Sequence, residues 1–383
     1  MSYAIVNGRI YTEAGVISEG YIIIEAGQIK AVEEGPYEGE LETVDAKGQH
    51  ILPGFIDIHI HGGYGEDAMD ASYDGLQNLA KKLLSEGTTS FLATTMTQSN
   101  EAIESALENI VKVQDNQDGT QSADIVGVHL EGPFISENKI GAQNPKYIQR
   151  PSIKQLQHFQ KVANHQIKIV TIAPEVEGAE ETIQTLKDEM IFSMGHSEVT
   201  FDQANHASDI GVKHVTHLYN AGTPFLHREP GMFGAAWSNP NIKTEVIVDG
   251  VHSHPTAVQI AYQQKGHTGM YLITDAMRAK GMPEGQYELG GQDVIVKDNE
   301  AHLKTGSLAG SILKMNDGLR NLIDFTGDTL DKLWRVTSLN QAKALGIDHE
   351  RGSIAVGKNA DLVIVDDAVQ VKHTIKNGHI HTF

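Results

Sequence analysis

The chain has 383 residues, with 30 Lys+Arg against 50 Asp+Glu and a formal net charge of −20, a field that disfavours nucleic acid or an anionic membrane as partner. It contains no cysteine, which excludes disulfides, thiolate zinc sites and a cysteine nucleophile and leaves His, Asp and Glu as the metal-ligating side chains. No run approaches the roughly 18 uninterrupted apolar residues of a membrane-spanning helix, and the first residues lack a basic segment followed by an apolar one, so a cytoplasmic protein is expected.

Residues 1–53 hold short β-rich runs at 4–6, 10–12 and 21–25, punctuated by the turn signals Asn7-Gly8 and Ala26-Gly27. The far end echoes the pattern, with Lys376-Asn377-Gly378-His379-Ile380 resembling Val6-Asn7-Gly8-Arg9-Ile10 after a strand at 361–366. Residues 1–53 and 351–383 are therefore read as one small β-sandwich domain built from both termini.

Between them, apolar β-branched runs at 55–60, 90–95, 125–130, 167–173, 191–194, 214–218, 244–248 and 270–274 alternate with helical patterns, the signature of buried parallel strands in βα units. Leu76, Leu79, Ala80, Leu83 and Leu84 form a helical stripe stopped by Gly87. Ile103, Leu107, Ile110 and Val111 form another after Ser99 and Asn100, and Thr200 and Gly211 bracket a short polar helix. Eight such units across 54–350 predict a (β/α)8 TIM-like barrel, whose chemistry lies at the C-terminal ends of its strands.

Residues of functional type fall at those ends. His59 and His61 lie two apart on the first run and so share a face. Glu131 follows the third run, His196 the fifth, His217 lies in the sixth and Asp275 closes the eighth. Imidazole and carboxylate without thiolate suit Zn²⁺ or Fe²⁺ and admit Mn²⁺ or Co²⁺. Glu131 can bridge two ions, His196 and His217 completing one position and His59 with His61 a second, so one or two divalent ions per subunit are expected.

These residues sit in stretches that resemble the amidohydrolase superfamily and, within it, the N-acetylglucosamine-6-phosphate deacetylase family. The matching stretches are Pro53-Gly54-Phe55-Ile56-Asp57, His129-Leu130-Glu131-Gly132-Pro133-Phe134, Gly195-His196-Ser197, Thr216-His217-Leu218-Tyr219-Asn220-Ala221, His227-Arg228-Glu229-Pro230-Gly231, Asp249-Gly250-Val251-His252, Thr274-Asp275-Ala276-Met277 and Gly306-Ser307-Leu308-Ala309-Gly310-Ser311. The His-x-His pair marks the superfamily; Leu-Glu-Gly-Pro and Arg-Glu-Pro-Gly mark the deacetylases.

The resemblance implies that Glu131, His196 and His217 bind the principal metal and that Asp275 is general base and acid. It also implies that Ala142, Gln143, Asn220, Ala221, Arg228, His252, Leu308, Ala309 and Gly310 contact an amino-sugar phosphate, with Arg228 lent across a homodimer interface. The expected reaction is deacetylation, yielding acetate and an amino-sugar phosphate in amino-sugar catabolism or cell-wall recycling. Two departures stand out: some members lack the pair His59 and His61, which here favours two metals, and position 143 is Gln where many members carry His. A D-aminoacylase or dihydroorotase type would more often present a lysine at a strand end, and none is found. A catalytically silent binding protein of this fold would be expected to have lost a ligand or Asp275, and both are kept.

Overall fold

A computed structural model describes residues 2–383. Eight parallel strands, Phe55–Ile60, Thr88–Thr95, Asp124–Glu131, Ile167–Ile172, Ile191–Met194, Val212–Val215, Lys243–Ile247 and Met270–Ile273, pair one to the next in chain order. Side-chain parity explains why apolar residues occur on both faces of these runs. Ile169, Ile247, Tyr271 and Ile273 share one face with Thr171, Ser193 and Glu245, whereas Val170, Phe192, Val246 and Leu272 face the surrounding helices. The eighth strand meets the first where Asp275 N–H donates to the His59 carbonyl at 2.8 Å and Thr274 Oγ1 donates to Asp57 Oδ2 at 2.5 Å. A nearly closed barrel results.

The helices start where caps are available. Ser72 and Ser99 cap Tyr73–Leu83 and Asn100–Asp115, and Thr200 with Gln203 forms a capping box on Phe201–Ile210. Gly87 terminates a 3₁₀ turn, Leu84–Glu86, rather than the α-helix itself, which ends at Leu83. The sixth strand stops at Val215, short of the expected 218, because His217 adopts a left-handed backbone with φ 28° that no strand can continue.

Both termini build one eight-stranded mixed sheet, separate from the barrel and packed on its own cluster of Ile5, Ile10, Ile22, Ile24, Ile51, Leu362, Ile364 and Ile375. The repeated Asn-Gly plays two different parts in it. Asn377-Gly378 is the hairpin turn between Val371–Lys376 and His379–Thr382. Asn7-Gly8 instead forms a bulge inside the continuous strand Ser2–Thr12, with Asn7 at φ 55° and Gly8 so close to Ile51 that a Cβ would lie 2.4 Å from its Cδ1. A salt-bridge cluster ties sheet to barrel: the fully buried Lys376 ammonium meets Asp361 at 3.0 Å and Asp124 at 2.9 Å, and Arg351 meets Asp124 at 2.9 Å.

An element of short strands that the sequence reading did not pick out follows the eighth strand. Gly285–Leu289, Gln292–Lys297 and Glu300–Leu303 form a three-stranded antiparallel sheet. Its apolar side joins Met96, Met277, Ala279 and Ala309 in a separate cluster at the barrel mouth, and Gln292 Nε2 donates to the Ala142 carbonyl at 2.6 Å.

Candidate active site

Every residue expected at a strand end reaches one centre. Glu131 is its hub: His196 Nε2 and His217 Nε2 lie 3.2 and 3.1 Å from Glu131 Oε1, and His61 Nε2 lies 3.0 Å from Oε2. Asp275 Oδ1 approaches His61 Nε2 at 3.1 Å and His59 Nε2 at 3.4 Å. The donors therefore sort into two overlapping sets, Glu131 with His196 and His217, and His59, His61, Glu131 and Asp275.

Tautomers follow from the outer bonds. A carbonyl only accepts, so His196 donates from Nδ1 to Lys139 O at 2.8 Å and His61 from Nδ1 to Thr94 O at 3.2 Å, leaving both Nε2 lone pairs aimed at the centre. His196 Nε2 and His217 Nε2 face each other at 3.2 Å, about the spacing of two ligands on one tetrahedral ion with bonds near 2.1 Å. His59 Nε2 is buried with no hydrogen-bond partner. Converging imidazole lone pairs, carboxylates and an orphaned buried nitrogen together fit divalent metal ions.

The electrostatics agree. Burial alone would raise the Glu131 carboxyl, but the imidazoles around it, His59 foremost, hold it well below the usual range. Burial likewise opposes ionisation of Asp275, yet His59 and His61 bring its carboxyl down to about 2. Burial would lower His61, but Asp275 and Glu131 push it up to about 10. In the metal-free chain His59 and His61 thus take up a proton on Nε2, which a cation would replace, freeing that lone pair to bind.

Three of these residues sit in the left-handed region: His196 at φ 49°, His217 at φ 28° and Asp275 at φ 47°. Each turn aims a side chain from the end of its strand into the mouth, a strained conformation typical of functional positions. Gly310, at φ 64°, crosses so closely that a Cβ would lie 2.9 Å from the Asp275 carbonyl oxygen. Only glycine suits that position.

Above the cluster a cleft of about 240 Å³ is lined by Ala142, Gln143, Asn220, Ala221, His252, Leu308 and Gly310 together with His61, Glu131, His196, His217 and Asp275. Ala309 is fully buried in the apolar cluster beside the cleft, and Arg228 lies exposed outside it. Glu229 does not occupy Arg228, because Glu229 Oε1 accepts from the Phe201 and Gly231 amides at 2.7 and 3.0 Å. Gln143 accepts from Thr97 N–H at 2.8 Å and donates from Nε2 to Glu131 Oε2 at 2.9 Å, so its amide orients a candidate ligand. His252 is steadied by Asp249, Nδ1 to Oδ2, at 2.7 Å.

The amidohydrolase family model matches residues 50–381. A Bacillus subtilis (strain 168) N-acetylglucosamine-6-phosphate deacetylase is 46% identical over 375 residues, covering 97% of this chain and 95% of that one. The chain belongs to the amidohydrolase family. An N-acetylgalactosamine-6-phosphate deacetylase from Escherichia coli O157:H7 is 35% identical with 100% of both chains covered. The structure of a mutant N-acetyl-D-glucosamine-6-phosphate deacetylase from Mycobacterium smegmatis, in complex with N-acetyl-D-glucosamine-6-phosphate, superposes with a TM-score of 0.91 at 29% identity and covers 99% of this chain and 98% of that one.

Sequence reasoning passed over Glu245, Ser307, Leu289 and Met96. The last three line the cleft. Glu245 lies inside an apolar strand with nothing in its spacing to mark it, and only the folded barrel shows it against His59.

Proposed function

We propose that this chain is a metal-dependent deacetylase that cleaves the acetamide of N-acetyl-D-glucosamine 6-phosphate to acetate and D-glucosamine 6-phosphate. The observation that carries this reading is the placement of Asp275 at the floor of a polar cleft, beside the Glu131, His196 and His217 cluster. The whole-length relatives named above support the substrate class.

Glu131, His196 and His217 would hold the principal ion, and His59, His61 and Glu131 a second. Zn²⁺ and Fe²⁺ are the first candidates, and Mn²⁺ or Co²⁺ are tolerated by the same ligands. A bound divalent ion supplies Lewis acidity, lowering the pKa of water and polarising the substrate carbonyl. Asp275 accepts a proton from the attacking water through its carboxylate, then delivers it to the amine nitrogen as the C–N bond breaks. Without that delivery the amine is a poor leaving group. Gln143 holds Glu131 in place, Leu308 and Gly310 shape the wall against the sugar, and Ala309 packs behind them.

His252, Asn220 and the Ala221 N–H would receive the phosphate, with Arg228 from a second copy of the chain. Arg228 is exposed, makes no salt bridge among the described residues, and stands beside exposed Phe225 and Leu226, a composition suited to a homodimer interface. Residues 54–350 would act as the catalytic unit, with 1–53 and 351–383 as its companion domain. No helix of the described residues is long and apolar enough to cross a membrane, in keeping with a cytoplasmic enzyme.

The test is acetate release by the purified chain, with metal content measured on the same sample, from N-acetylglucosamine 6-phosphate, its galacto epimer and unphosphorylated N-acetylglucosamine. The expected order places the 6-phosphates far ahead of the free sugar. A metal-loaded protein that releases no acetate from either phosphate would refute the assignment.

A further inference from the structure

Glu245 sits in the middle of the seventh strand, Lys243–Ile247, with its side chain wholly buried. An ionised carboxylate buried this deeply is expensive to keep unless specific groups need it. The bonds say what those groups are. Glu245 Oε2 accepts from His59 Nδ1 at 2.8 Å and from the His217 N–H at 3.2 Å, and the Glu245 carbonyl accepts from Leu218 N–H at 2.8 Å.

The first bond fixes the proton of His59 on Nδ1. His59 Nε2 is then the nitrogen left to bind an ion, 3.5 Å from Glu131 Oε1 and 3.4 Å from Asp275 Oδ1 and without a hydrogen-bond partner. The second bond pins the backbone of His217 as it enters its left-handed turn. One carboxylate thus reaches both ligand sets, from beneath.

A competing reading would make Glu245, His59 and His129 a third metal position, since their donor atoms also cluster. Hydrogen-bond directions exclude it. His129 Nδ1 must donate to the Ile58 carbonyl at 2.9 Å, and its Nε2 takes the Thr171 hydroxyl at 2.7 Å. Thr171 in turn bonds Thr216 at 2.8 Å, and Thr216 bonds Ser193 at 2.6 Å. Both His129 nitrogens are therefore committed, and neither offers a lone pair to an ion.

We infer that Glu245 is the positioning residue of the second metal ion: it holds His59 in its Nε2-ligating tautomer and through that bond decides whether the chain carries two ions or one. The inference rests on the two-ion reading of the site above. A carboxylate behind a ligating imidazole fixes ring orientation and raises ligand basicity, and losing one typically weakens metal affinity about 10- to 100-fold.

The experiment titrates Zn²⁺ into the metal-free full-length chain against a chromophoric chelator, for wild type, Glu245→Gln and Glu245→Asp, with Co²⁺ absorption spectra in parallel. Wild type is expected to take two ions. Glu245→Gln should keep the tighter one within a few fold and bind the weaker one about 10- to 100-fold less well, with the corresponding Co²⁺ band lost; Glu245→Asp, which retains the charge, should recover part of the affinity. A melting temperature close to wild type excludes general loosening, and should Glu245→Gln fold poorly, the Asp variant carries the comparison. Two ions bound by Glu245→Gln as tightly as by wild type would overturn the inference while leaving the two-ion site intact. A wild-type chain that takes only one ion would instead remove the two-ion reading, and the inference with it.

Discussion

Replacing Asp275 by Asn tests the proton-transfer assignment with the least disturbance to the site. The substitution keeps the shape and one carbonyl oxygen, so the atom now 3.1 Å from His61 Nε2 and 3.4 Å from His59 Nε2 can still serve an ion. What it removes is the ability to take and return a proton. General acid-base catalysis contributes on the order of 10² to 10⁴ in rate, equivalent to about 2.7 to 5.5 kcal/mol of barrier. The same side chain is asked for two transfers, so the upper part of that range is expected for kcat, with a smaller change in KM. Acetate release under saturating substrate gives the rate, and elemental analysis of the same preparation gives metal per subunit. A variant that retains its metal and works within tenfold of wild type would refute the role of Asp275.

Arg228→Ala should lower kcat/KM for N-acetylglucosamine 6-phosphate by about 2 to 5 kcal/mol, roughly 30-fold to several thousand-fold, and leave the poor turnover of the unphosphorylated sugar nearly unchanged; equal losses on both would move the phosphate site elsewhere. Lys376→Ala leaves Asp361 and Asp124 facing each other without the buried ammonium, and a loss of about 3 to 5 kcal/mol in unfolding free energy is expected, read from the urea midpoint; a midpoint unchanged from wild type would dismiss the cluster as a tie between sheet and barrel. His214 is buried beside Tyr271, and burial brings its imidazole down to about 4. Its folded value is depressed, so the unfolded chain takes up the proton first as pH falls, and the stability present above pH 6.5 is lost toward pH 4. His214→Gln should therefore shrink the stability difference between pH 7 and pH 4 by about 3 kcal/mol; an identical acid slope in the two proteins would show that His214 does not titrate this way.

The barrel was legible because its strands are buried on both faces and therefore written as unbroken β-branched runs, and because the catalytic end of such a barrel is known once strand direction is known. His59, His61, Glu131, His196 and Asp275 could be picked out by position alone. The extent of the sixth strand could not, since the buried run continues through Thr216, His217 and Leu218 while the backbone leaves the sheet at Val215. The sheet at Gly285–Leu289, Gln292–Lys297 and Glu300–Leu303 was hidden for the opposite reason. Its alternation lasts only five, six and four residues per strand, and exposed Ile295 breaks the polar side of the middle one, so each run is too short to stand out. Asn7-Gly8 shows the limit of local signals: the same dipeptide turns the chain at 377–378, but at 7–8 the pairing of Ser2–Thr12 with Gly15–Glu25 on one side and with Thr43–Asp45 and His50–Pro53 on the other overrides it.

The site also sets local preference against global need. His196, His217 and Asp275 hold left-handed conformations that cost of order 1 to 3 kcal/mol each, and the carboxylates of Glu131 and Glu245 are withdrawn from water beneath them. Such features persist only where neighbours over-determine them. Asp275 is fixed by its N–H to His59 O and by Ser311 N–H on its own carbonyl, both at 2.8 Å; His217 is fixed through Glu245. The groups that restrain the backbone are thus themselves ligand-bearing residues or their supports, so backbone geometry and metal geometry depend on one another. Metal binding should then stabilise the fold as well as complete the site, because an ion replaces the protons that otherwise share the space between Glu131, Asp275 and the imidazoles, and holds together side chains whose backbones are strained.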